Sequence, residues 1–208
     1  MMNSPPFSAI LQNFDGNPPA PPSALHEAGL GNVTLPPDYL DFMTSAADGG
    51  AGAIGESYLI LWRLSELAEL NREYEVELNA PGLFLFGSNG GGEALAFDMR
   101  SDERAVVQVP FVGMELELVE RLAGSLSEFL QLASQGASLT VVPDKPLTRK
   151  EPDPREGKEI FEIQPVILGG SPTDPANKTV LTRRQHIELA RYWNAVIRDI
   201  RKQQGPDR

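Results

Sequence analysis

Two short apolar runs, Leu83–Phe86 and Ala94–Phe97, flank the stretch Gly87-Ser88-Asn89-Gly90-Gly91-Gly92. Turn residues that accept positive φ between two β-prone runs predict a β-hairpin. Both arms are almost continuously apolar, which predicts a place in the middle of a sheet. Upstream, Leu35-Pro36-Pro37-Asp38-Tyr39-Leu40-Asp41-Phe42-Met43 predicts a helix. Proline suits its first turn, Asp38 and Asp41 favour the positive end of the dipole, and Tyr39, Leu40 and Met43 share one face. Asp48-Gly49-Gly50 ends it. Ser57–Trp62 has the aromatic and β-branched content of a strand. Ser65–Leu70 is a short helix with Glu66, Glu69 and Glu73 on its solvated side. Strict alternation over Glu73–Leu78 predicts an edge strand, and Asn79-Ala80-Pro81-Gly82 turns the chain into the hairpin.

Beyond the hairpin, Ala105–Val112 reads as a strand that Pro110 confines to an edge or ends. Leu116–Ser134 reads as one long helix with a stripe through Leu116, Val119, Leu122, Leu126, Phe129 and Leu130, closed by Gly136. Ile160–Leu168 reads as a strand and Gly169–Asn177 as a loop. Thr182 then opens a helix whose Thr182-Arg183-Arg184-Gln185 has the form of a capping box. Its apolar side is Ile187, Ala190, Trp193, Val196, Ile197 and Ile200. The pattern divides the chain into a Pro-rich flexible tail (1–31), a main domain (32–136), a linker (137–158) and a C-terminal strand–helix unit (159–208). That last unit is too small to hold a core alone, so it is expected to pack on the main domain or on a second chain. The fold class is α+β, a mainly antiparallel sheet with helices against it.

Composition sharpens this picture chiefly through charge. Residues 1–138 hold 19 acidic residues against five arginines, a net of −14, whereas residues 139–208 hold 10 acidic and 13 basic residues, a net of +3. An acidic body repels nucleic-acid phosphates and anionic membranes and draws basic partners toward itself. The chain has no cysteine, which removes disulfides and thiolate metal sites. Its N-terminus lacks the pattern of a secretory signal, so a cytoplasmic location is expected.

Three patterns bear on chemistry. Gly50-Ala51-Gly52-Ala53-Ile54-Gly55 matches G-x-G-x-x-G, but a helix precedes it and a strand follows, the inverse of a dinucleotide site. It reads as a helix-to-strand loop. The glycines of the hairpin turn lead to Glu93 and a strand with no lysine, so they form no phosphate loop. Asn177 and His186 resemble the second half of an HNH nuclease motif, yet residues 145–176 hold no histidine to act as base. No catalytic, cofactor or metal residues are expected.

Read together, Leu35-Pro36-x-Asp38-Tyr39-x-x-Phe42, Asp48-Gly49-Gly50, the strand at Tyr58–Trp62 and the hairpin motif Phe86–Glu93 with Ala96-Phe97-Asp98 form an ordered series. Leu122-Ala123-x-Ser125-Leu126-x-x-Phe129-Leu130 closes it. In order and spacing the series resembles the SUKH superfamily, founded on fungal Smi/Knr cell-wall-assembly regulators. The resemblance implies a mixed sheet with packed helices and no catalytic residues. Bacterial members are largely immunity proteins that bind and block a cognate toxin, often a nuclease. It therefore implies a protein partner with a basic face, with Asp38, Asp41, Glu56, Asp98, Asp102 and Glu103 as expected contacts by charge and loop position. A regulatory scaffold, as in the fungal relatives, is the alternative. A degenerate nuclease in the C-terminal unit is a remote one.

Overall fold

A computed structural model describes residues 7–136 and 158–204. Apart from Lys158, the expected linker lies outside the described residues. Seven strands form one antiparallel meander in which each strand pairs with its neighbours in sequence. They are β1 (Asn13–Gly16), β2 (Gly50–Ile54), β3 (Ser57–Leu61), β4 (Leu83–Ser88), β5 (Glu93–Asp98), β6 (Val106–Pro110) and β7 (Glu120–Ala123). The hairpin β4–β5 is indeed central, and all of its arms' apolar side chains are buried. Four short or medium helices precede β4: α1 (Phe7–Ile10), α2 (Ala24–Glu27), α3 (Pro37–Ser45) and α4 (Leu64–Glu73), followed by the single turn α5 (Val76–Asn79). α6 (Leu126–Ser134) closes the main domain. A second sheet of β8 (Lys158–Glu162) and β9 (Lys178–Thr182) leads into α7 (Arg183–Gln204).

The N-terminal segment corrects the expectation of a flexible tail. β1 pairs with β2 over four residues, and Ile10, Phe14, Ala20 and Ala28 join the core. That pairing also corrects the reading of Gly50–Gly55 as a loop, since Gly50–Ile54 is strand β2. Gly50 and Gly52 have φ of +139° and +156°, and a Cβ on Gly52 would stand 2.4 Å from the Asn13 carbonyl oxygen. The glycines serve close approach of β1, not a phosphate.

Three further expectations change. Glu73–Leu78 is the end of α4 and the turn α5: Glu75, at φ +55°, reverses the chain so that Tyr74 and Val76 both face inward while Leu78 stays exposed. The alternation was produced by a turn, not by a pleat. The long helix over Leu116–Ser134 is instead a 3-10 turn at Leu116–Leu118, then β7, then α6. β6 needs a partner along Val106–Gln108, and β7 supplies it. Ser125 then restarts the helix, its hydroxyl accepting from the Glu128 N–H at 3.1 Å while the Glu128 carboxylate accepts from the Gly124 N–H at 2.6 Å. In the C-terminal unit, the strand over Ile160–Leu168 shortens to β8, and a second strand, β9, forms a hairpin with it. The Thr182–Gln185 capping box is present at 3.1 and 3.4 Å.

Two polar clamps hold the main domain together. β3 pairs with β4 through Ile60↔Ser88 and Leu61↔Gly87, the next residue Trp62 donates its N–H to the Phe86 carbonyl (3.0 Å), and a bulge follows Leu85. Asn71 on α4 stands in for the missing strand, accepting from the Leu85 N–H and donating to the Leu85 carbonyl, both at 2.8 Å. Asp48 accepts from the first N–H of α4 at Leu64 (2.9 Å). Two groups of aromatic rings fill the core. Tyr39, Phe86 and Phe97 meet beneath α3, and Trp62, Tyr74 and Phe111 meet where the C-terminal unit docks.

Candidate partner-binding surface

The C-terminal unit packs on the main domain, as one of the two expected arrangements. β8 lies on the turn of the central hairpin: the Ile160 N–H donates to the Gly90 carbonyl (3.2 Å), and the Ser88 hydroxyl donates to Glu159 Oε2 (2.9 Å). α7 presents His186, Ile187, Ala190, Asn194 and Ile197 inward. Asn194 accepts from the Gly113 N–H at 2.6 Å and donates to the Phe111 carbonyl at 2.9 Å. Around this contact arginines of the basic C-terminal unit meet carboxylates of the acidic main domain. Arg183 pairs with Glu66, Arg191 and Arg198 with Glu75, and Arg201 with Glu115. Such part-exposed pairs each contribute about 0.2–1 kcal/mol, so the seam is held mainly by the apolar and buried polar contacts between them.

Inside the seam lie three buried ionisable groups, Tyr74, Glu159 and His186, each 1% exposed. His186 Nδ1 and the Tyr74 hydroxyl share a hydrogen bond of 3.0 Å, and the imidazole packs edge-on against Phe111 and Phe161. Burial, reinforced by Arg183, lowers His186 to about 4. Burial raises Glu159 to about 7, against the opposing pull of Ser88 and Arg183. The Tyr74 phenol is pushed upward by burial and by Glu159. The imidazole and phenol are thus uncharged at neutral pH, closed from solvent and holding the seam.

The six acidic residues expected to meet a partner do not form one patch. Asp38 is half-buried and joins two helices, accepting from the Tyr39 N–H (2.9 Å) and the Ser127 N–H (2.8 Å) at the start of α6. Asp98 holds Arg100 through a bidentate pair at 2.7 and 2.8 Å, and that hydrogen bonding lowers its pKa. Glu103 pairs with Arg121 at 2.5 and 2.8 Å. Asp41, Glu56 and Asp102 are exposed. Glu56 lies in the β2–β3 turn, where Gly55 touches Ala133 at the far end of α6 from Asp38. Asp102 lines a hollow of about 570 Å³ together with Glu77, Arg72 and Arg104, so cations already sit among its carboxylates.

A second feature was not foreseen. Between the end of β6 and the C-terminal hairpin runs a groove of about 470 Å³, lined mostly by apolar side chains. Phe111, Ile160 and Phe161 form its inner part, and Leu118, Val166 and Ile167, each more than 40% exposed, form its lips. Glu93 and Glu162 line it as well, with Lys178. Burial and the charges of Glu120 and Glu162 raise Glu93 to about 7. The clue in the sequence was Glu93 itself, the one charge placed directly between the glycine turn and a buried strand. Its significance depends on β8, some 65 positions away in the chain.

The Asn177–His186 pair is used structurally. Asn177 brackets Gln164, accepting from its N–H and donating to its carbonyl at 2.8 and 2.9 Å, and His186 is sealed in the seam. Among the described residues no three His, Asp or Glu side chains are grouped to hold a metal, and no helix is long and apolar enough to cross a membrane.

Residues 26–132, from α2 into α6, match the model of the SMI1 / KNR4 family (SUKH-1). β1 and the whole C-terminal unit lie outside the matched stretch. No curated protein gives a significant match.

Proposed function

The chain belongs to the SMI1 / KNR4 family (SUKH-1), a family known for immunity-type proteins and generally non-enzymatic, and on that premise we propose that it is a binding protein of the immunity type. In this reading it neutralises a toxin domain, a nuclease being one candidate, by covering a basic face. The observation that carries the reading is the acidity that remains after the C-terminal unit has docked. Among the described residues the arginines of α7 pair with Glu66, Glu75 and Glu115 of the main domain, and Arg184 with Glu188 of α7 itself. Asp41, Glu56 and Asp102 still face outward, and the docked unit's +3 lowers the body's net of −14 only to −11. A nuclease's substrate-binding face is basic, so an acidic inhibitor is steered onto it and repelled by nucleic acid.

The test is capture of the partner on the tagged full chain, followed by affinity measurements with charge-reversed variants. Lysine at Asp41, Glu56 and Asp102 together is expected to slow association by at least about tenfold at low salt. Unchanged association across the set removes the electrostatic reading. A second reading, a regulatory scaffold, draws on the outer face of α7, where Leu189, Tyr192 and Ile200 are exposed beyond the family-matched region. Recovery of several unrelated stable partners would favour it.

A further inference from the structure

The groove combines three properties found together nowhere else among the described cavities. Its lining is mainly apolar, and its lips expose Leu118, Val166 and Ile167. Solvent-exposed aliphatic lips around a cavity of this size mark a recognition surface rather than a packing defect. Its acidic end is self-repelling: the charges acting on Glu93 are those of Glu120 and Glu162, all negative. Glu120 is steadied by the Gln108 side-chain amide at 2.7 Å, and Glu162 by the Val166 N–H. Lys178 offsets Glu162, which leaves Glu93 as the carboxylate most in want of a cation. The groove is also composite. Glu93, Phe111 and Leu118 come from the family-matched domain, whereas Ile160, Val166 and Ile167 come from the C-terminal unit outside it.

We propose that this groove receives an extended segment of a partner protein in which a lysine or arginine is flanked by aliphatic residues. The cation meets Glu93 and its acidic neighbours, and the flanking side chains lie on Leu118, Val166 and Ile167. The ordinary alternative, a solvent-filled crease left by docking, leaves both the exposed lips and the repelling carboxylates without purpose. Because half of the groove is contributed by the C-terminal unit, that unit sets which segment is accepted. This deepens the binding reading given above; it requires a protein partner but not a toxic one.

A library of random 12-residue peptides displayed on phage, selected against the immobilised full chain, tests the assignment. The expected winners carry lysine or arginine between aliphatic residues. A fluorescein-labelled synthetic winner is then titrated by fluorescence polarisation. Glu93→Gln with Glu162→Gln, and separately Ile167→Asp, should each weaken it by about tenfold or more, while Glu69→Gln on the exposed side of α4 leaves it within twofold. Glu93→Gln relieves repulsion and Ile167 is exposed, so both proteins should fold; thermal melts verify this. Binding should also tighten from pH 6 to 8 as Glu93 ionises, and Glu93→Gln should remove that dependence although buried Glu159 titrates over the same range. His186 stays neutral throughout, with Glu120, Glu162 and Lys178 as the other groups facing the site. Enrichment of no class, of acidic peptides, or of peptides indifferent to the groove variants overturns the proposal. Peptides indifferent to the groove variants, from a chain that still protects against a toxin, would overturn this site and leave the function standing, whereas groove-dependent peptide binding without protection would do the reverse.

Discussion

Glu159 and His186 impose opposite pH dependences on one seam, and replacing either should expose the other. Glu159 rises from 4.5 to about 7 on folding. Between those values the folded chain holds a proton that the unfolded chain has released, so its contribution to stability falls as pH rises. At about 1.4 kcal/mol per pH unit the interval amounts to roughly 3 kcal/mol. His186 drops from 6.5 to about 4. Between those values the unfolded chain holds the extra proton, so its contribution rises with pH, again by roughly 3 kcal/mol. From pH 4.5 to 6.5 the two slopes nearly cancel. Urea unfolding in steps from pH 4.5 to 8 tests this on the parent chain, Glu159→Gln and His186→Phe. Relative to the parent, Glu159→Gln should gain stability steadily up to pH 7, above a constant offset for its altered bond to Ser88. His186→Phe should lose stability relative to the parent over the acid half of the range as pH rises, with an offset of about 1–3 kcal/mol for the unpaired Tyr74 hydroxyl. Glu93 titrates alike in all three proteins and drops out of the differences. Three parallel curves would refute the reasoning.

Other perturbations address single contacts. Asn71→Ala leaves the Leu85 N–H and carbonyl without their clamp and should cost about 2–3 kcal/mol in urea unfolding. Gly52→Ala drives a methyl into the Asn13 carbonyl; it should detach β1, destabilise the chain by at least about 2 kcal/mol and open residues near Phe14 to proteolysis. Asp38→Ala removes the link between the starts of α3 and α6 and should lower stability by about 1–2 kcal/mol, an effect read from thermal unfolding.

Much of the fold was legible because several elements carry their own local signals. The hairpin announced itself through Asn89 and the glycines, α3 through its prolines and Tyr39, and α7 through its capping box. The misreadings share a cause: local pattern was overruled by a distant partner. The apolar stripe from Leu116 looked helical until β6 required an edge strand, although Ser125 and Glu128 already marked the true helix start. Glycines at 50 and 52 looked like a loop because nothing local shows that β1 lies across them. The acidic contacts were chosen by charge and loop position, which cannot tell Asp41 from Asp38, whose carboxylate is spent on two backbone N–H groups. Nor does charge show that β8 turns Glu93 into the end of a groove.

The proposal of an immunity-type binding protein is tested most directly by growth. The partner captured on this chain is expressed in a host from an inducible promoter, alone and together with the full chain. A basic partner is expected to arrest growth alone, this chain to restore growth, and lysine at Asp41, Glu56 and Asp102 together to weaken the rescue. A partner that is harmless alone, or a toxic one that this chain binds without restoring growth, would contradict the proposal.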